Sequence, residues 1–76
     1  MKSVTIKINT TQNVKDLVNT VSMYTYDIDV RSGRYVIDAK SLLGIYSLDL
    51  TKPVTLEIYS DDCGELLKEL DELIVK

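Results

Sequence analysis

The sequence predicts an α+β domain, a four-stranded antiparallel sheet with helices on one side, and three observations lead there. Four short segments alternate apolar and polar residues with period two, and three others carry apolar residues at helical spacing. The dipeptide Ser32-Gly33 separates two of the alternating segments, as a tight hairpin loop would. Helices on one side of an antiparallel sheet bury every apolar face at once and leave the polar strand faces in water.

Taken in order, Val4, Ile6 and Ile8 alternate with Thr5, Lys7 and Asn9 as a half-buried strand. Asn13 has the side chain of a helix N-cap, with Asp16 placed near the positive end of the helix dipole. Val14, Leu17, Val18 and Val21 then follow at i, i+3, i+4 and i+7, which predicts a helix over Val14 to Met23.

Tyr26, Ile28 and Val30 mark the second strand, and Arg34 to Asp38 the third, with Tyr26 and Tyr35 on buried faces by alternation. Ser41 is the expected N-cap of a short helix weakened at Gly44, and Leu50 to Pro53 is a connection. Val54, Leu56 and Ile58 form the clearest strand, with Tyr59 on the open face, where it and Val36 are a candidate self-association patch. Asp62 and Glu65 have the spacing of a capping pair, and Leu66, Leu67, Leu70, Leu73 and Ile74 form a helical stripe.

Composition narrows the function classes. The 76 residues make one domain, residues 1–76, whose fold buries only about 60% of the surface of the unfolded chain. A net charge of −3 without a Lys/Arg cluster disfavours nucleic acid and anionic membrane surfaces. No signal peptide or membrane span is expected, and Cys63 alone forms no internal disulfide, as in a reduced cytoplasmic protein. With no histidine and one cysteine, the usual zinc sites and Ser-His-Asp or Cys-His nucleophiles have no ligands or base, so no metal or cofactor is expected. The three glycines are too dispersed for a phosphate loop.

Periodicity leaves two sheet arrangements open, a ferredoxin-like sandwich and an HPr-type open-faced sandwich. The segment Lys40-Ser41-Leu42-Leu43-Gly44-Ile45-Tyr46-Ser47-Leu48 resembles the regulatory-serine segment of the HPr family, the histidine-containing phosphocarriers of the sugar phosphotransferase system. The resemblance covers essentially the whole chain and implies the element order βαββαβα, sheet order 1-4-2-3 and three helices on one face. It also implies that the loop before the first helix carries the phosphocarrier signature. Thr10 falls at the family's histidine, and Thr11, Gln12 and Asn13 at its Ala, Arg and Pro, so the signature is absent. A threonine hydroxyl needs a base to attack phosphorus, and its phosphoester lacks the high transfer potential of a phosphorylated imidazole.

By the same resemblance, Ser41 is the candidate site of regulatory phosphorylation, with Lys40 as a cation beside it. Lys40, Leu42, Leu43 and Tyr46 form a candidate partner-binding patch. Read from the residues alone, Ser41 is simply a cap, while Leu43, Ile45 and Leu48 face the core and Leu42 and Tyr46 are exposed. The expected function is a non-catalytic regulatory or adaptor protein, not an enzyme, acting as monomer or weak homodimer. Its expected partner is a protein, either a phosphotransferase-system enzyme, an HPr kinase or a transcription regulator. The alternatives are a phosphotransferase-system component with an unconventional acceptor, or a ferredoxin-like binding or assembly module.

Overall fold

In the computed structural model, which describes residues 1–75, the period-two segments pair into one antiparallel sheet. The elements are β1 (Lys2–Ile6), α1 (Thr11–Val21), β2 (Ile28–Ser32), β3 (Tyr35–Asp38), α2 (Leu42–Tyr46), β4 (Val54–Ile58) and α3 (Gly64–Glu69). The sheet order is β1-β4-β2-β3. Strand β4 therefore lies between β1 and β2, which selects the HPr-type arrangement and removes the ferredoxin-like one.

Register explains why alternation was informative. Val4, Leu56, Val30 and Ile37 stand side by side across all four strands on the helix-covered face. The neighbouring row on the opposite face, Ser3, Glu57, Asp29 and Asp38, is polar. Ile6, Ile28, Val30, Val54, Leu56 and Ile58 are buried beneath the helices with Val14, Leu17, Val21, Ile45, Leu66 and Leu70. At about 25 cal/mol per Å² of apolar surface, this shared core is the main stabilising term. Gly33 has φ +59° and no other described residue has positive φ, so the β2–β3 hairpin carries glycine at the first central position, the type II′ pattern.

Several boundaries differ from expectation. The N-cap of α1 is Thr10, not Asn13, and the helix starts at Thr11 and ends at Val21, short of Met23. Thr10 Oγ1 accepts from the Asn13 N–H at 3.1 Å, and Asn13 Oδ1 accepts from the Thr10 N–H at 3.3 Å. This reciprocal box places Asn13 one turn inside the helix. Ile8 is buried but lies beyond β1, and Tyr26 precedes β2. Arg34 belongs to the turn rather than to β3.

Tyr35 sits in the expected phase, paired with Ser32 on the helix side, yet is 68% exposed, since it stands at the hairpin end of an edge strand. Asp62 and Glu65 form no capping pair, since the residue at the N-cap of α3 is Cys63, without a side-chain cap bond. After Glu69 the chain turns, and Ile74 bridges Ile6 while the Val75 N–H donates to the Thr5 carbonyl at 2.9 Å. Leu73 and Ile74 thus cover the outer edge of β1 instead of extending the helix.

Candidate functional site

The candidate site is where the start of α1 meets the end of α2. The Thr10–Asn13 box fixes the first turn of α1, and Asn13 Oδ1 also accepts from the Asn9 N–H at 3.1 Å, tying down the preceding loop. Gln12 turns along the helix, its Nε2 donating to Asp16 Oδ1 at 3.0 Å. Tyr46 closes the other side, with its hydroxyl 3.5 Å from the Thr11 carbonyl oxygen. Between them lies an open cleft of about 380 Å³ lined by Lys7, Ile8, Thr10, Thr11, Tyr46 and Leu50, among others.

The floor of this cleft is held by the segment after α2. Lys7 Nζ donates to the Thr51 carbonyl at 2.6 Å, bridging the residue after β1 to that segment. The Thr51 hydroxyl and N–H both donate to the Asp49 carboxylate, which holds its pKa below the ordinary carboxylate value. Lys7, Leu50 and Thr51 are the part of the site that the sequence reading missed. Leu50 to Pro53 carries no periodic signal, and only the fold brings it to α1.

Helix α2 presents its side chains differently from the residue-only expectation. Ile45 is fully buried, while Leu42 and Leu48 are half-buried. Leu43, expected in the core, is 83% exposed, and Tyr46 is 38% exposed. At i and i+3, these two share one side of the helix. Gly44 faces the sheet, because a Cβ there would stand 2.6 Å from Ile37 Cγ2. That close approach turns Leu43 outward.

Ser41 is the N-cap of α2, its Oγ accepting from the Gly44 N–H at 3.2 Å. Lys40 does not lie beside it as a free cation. Its Nζ donates to the carbonyls of Tyr24 at 2.9 Å and Tyr26 at 3.2 Å, stitching the loop before β2 to the start of α2. The fold thus joins Thr10 and Thr11 to Tyr46, and leaves Lys40 and the outward-turned Gln12 outside the cleft.

Comparison with known proteins agrees with this architecture. The family model described as the PTS HPr component phosphorylation site matches residues 3–76. The chain belongs to the HPr family. Among solved structures, this HPr-family chain is similar to HPr-C-His from Thermoanaerobacter tengcongensis at 33% identity and TM-score 0.79. The match covers 97% of this chain and 91% of that one. No curated protein matches it. The chain therefore has the phosphocarrier fold of the phosphotransferase system, while its own sequence contains no histidine. Among the described residues, no helix is long and apolar enough to cross a membrane.

Proposed function

We propose that this HPr-family chain is a non-catalytic regulatory or adaptor protein that binds protein partners through the face built by the start of α1 and by α2. The reading is supported above all by what occupies the start of α1. The residue at the N-cap is a threonine whose oxygen is engaged in the capping box, and the chain has no histidine to take its place. Neither a basic nitrogen nor a guanidinium stands among Thr10, Thr11, Gln12 and Asn13 to attack, or to neutralise, a phosphoryl group. What remains there is an apolar-walled cleft beside the exposed Leu43 and Tyr46, the kind of surface a protein partner covers. On this reading the protein works in the cytoplasm.

The deciding experiment is incubation with enzyme I of the phosphotransferase system and labelled phosphoenolpyruvate. No acid-labile label is expected on this chain. Label that tracks Thr10, abolished by Thr10→Val, would establish the competing reading of an unconventional acceptor.

Ser41 is the proposed switch on this face. A phosphate on its Oγ would stay next to the Gly44 N–H, so modification adds charge without dismantling the cap. A cognate HPr kinase is expected to label the wild type and not Ser41→Ala; label that persists in the alanine variant would rule out Ser41. As a cap alone, Ser41→Ala costs about 1 kcal/mol, whereas Ser41→Asp keeps the acceptor and most of the stability.

A further inference from the structure

The two edges of the sheet are treated differently. The β1 edge is covered by Leu73 to Val75, through Lys7 N–H to Leu73 carbonyl at 2.8 Å and Val75 N–H to Thr5 carbonyl at 2.9 Å. Among the described residues, the β3 edge has no strand beside it. Ala39 N–H donates inward to the Ile28 carbonyl, so by alternation Tyr35 and Ile37 also bond inward, and the backbone groups of Val36 and the Asp38 N–H point outward. An unpaired edge of this kind is a template for another strand.

Charge on the open face says which strand. Asp38 stands directly opposite Asp29, with Glu57 next in the row, and like charges at opposed positions destabilise a sheet. Arg31, two residues along β2 on the same face, is committed to Glu57 through Nε at 2.8 Å. Lys40 offers Asp38 only its backbone N–H, its ammonium being engaged elsewhere. Tyr59 sits beside Asp29 as a neutral hydroxyl. Among the described residues neither aspartate has an ion-pair partner, and Arg34, at the tip of the hairpin, has none either.

We propose that β3 pairs antiparallel with β3 of a second copy of this chain, about a two-fold axis at Val36, so that Arg34 of each copy faces Asp38 of the other. Of the registers the outward backbone groups allow, only this one sets Arg34 against Asp38. Shifting the pairing so that Arg34 meets Val36 leaves both charges without a partner. The same register puts Val36 against Val36 on the open face, and Tyr35 against Ile37 on the helix side. Val36 and Tyr35 are 44% and 68% exposed in the single chain, so both gain cover. The result is a continuous eight-stranded sheet with an isologous interface. Five residues per edge make the association weak and concentration-dependent. This surface lies apart from the α1–α2 cleft, so the inference stands independently of the function proposed above.

Sedimentation velocity over a concentration series tests it. The wild type should associate reversibly, less so at high salt. Arg34→Glu and Asp38→Lys should each raise the dissociation constant by at least about tenfold, because each creates two repulsive contacts. Mixing these two variants should restore association, since the introduced glutamate then meets the introduced lysine and the native Arg34 meets the native Asp38. Val36→Pro removes an outward N–H that the single fold does not use, and should abolish pairing with the circular dichroism unchanged. A wild type that stays monomeric throughout, or folded charge variants that fail to associate when mixed, would overturn the proposal. So would association that persists in Val36→Pro.

Discussion

Tyr46 spans from the last turn of α2 to the first turn of α1, its hydroxyl 3.5 Å from the Thr11 carbonyl oxygen. That contact is long and exposed, so the ring matters more than the hydroxyl. Tyr46→Phe is expected to change stability by less than about 0.5 kcal/mol. Tyr46→Ala removes one wall of the cleft and should weaken partner binding severalfold or more while the fold survives. Leu43→Ser should do the same with no loss of stability, because Leu43 is 83% exposed. Thermal melts and pull-down of phosphotransferase-system proteins read both effects. A partner that binds Leu43→Ser and Tyr46→Ala undiminished would remove this face from consideration.

The closeness of α2 to the sheet makes a second prediction. Gly44→Ala would set a Cβ 2.6 Å from Ile37 Cγ2, and something must shift. Overpacking of this kind costs about 1–3 kcal/mol. Ile37→Ala vacates the space, so the double variant should lose less than the two single changes combined. Strict additivity in denaturant melts would mean the helix simply lifts away.

Much of the fold is legible in the sequence, and the exceptions share a cause. Val54, Leu56 and Ile58 alternate cleanly because their strand is central and has one dry face, so period two survives intact. The same alternation puts Tyr35 on the correct side but not inside, since alternation does not tell the hairpin end of an edge strand from the middle of a sheet. Asn13 and Thr10 are both good capping residues, and local chemistry alone does not say which leads. Only the reciprocal bonds decide it. The residues alone put Leu43 in the core, because orientation on a five-residue helix is set by one glycine contact with the sheet rather than by any periodic stripe. Leu50 and Thr51 reach the cleft through tertiary folding, which leaves no mark on spacing.

Tyr26 carries a local fault that predicts a gain. Its ring packs near Tyr24, with centroids 5.5 Å apart, and its hydroxyl is buried without a hydrogen-bond partner among the described residues. A buried polar group left unpaired costs about 1–3 kcal/mol. Tyr26→Phe keeps the ring and removes the orphan oxygen, and is expected to stabilise the protein by up to about 1 kcal/mol, seen as a higher melting temperature. A clear loss of stability would indicate that the hydroxyl is bonded to ordered water.

Tyr24 supplies the pH dependence. Partial burial of its phenol, reinforced by the hydrogen bond it donates to Glu69 Oε2 at 2.9 Å, pushes its pKa from 10.0 up to about 12. A raised folded-state value means that the native protein holds this proton where the unfolded chain has released it. The contribution to stability is therefore complete below pH 10 and disappears as pH rises toward about 12, so this group destabilises the fold only in strong alkali. Phenolate absorbance, compared between wild type and Tyr24→Phe, should assign the late-titrating tyrosine. Glu69→Gln removes the carboxylate's charge but not the burial, so it should bring the titration only part of the way back to the ordinary value. Full return would make Glu69 the sole cause, and no change would mean that the Tyr24–Glu69 bond is not maintained in solution.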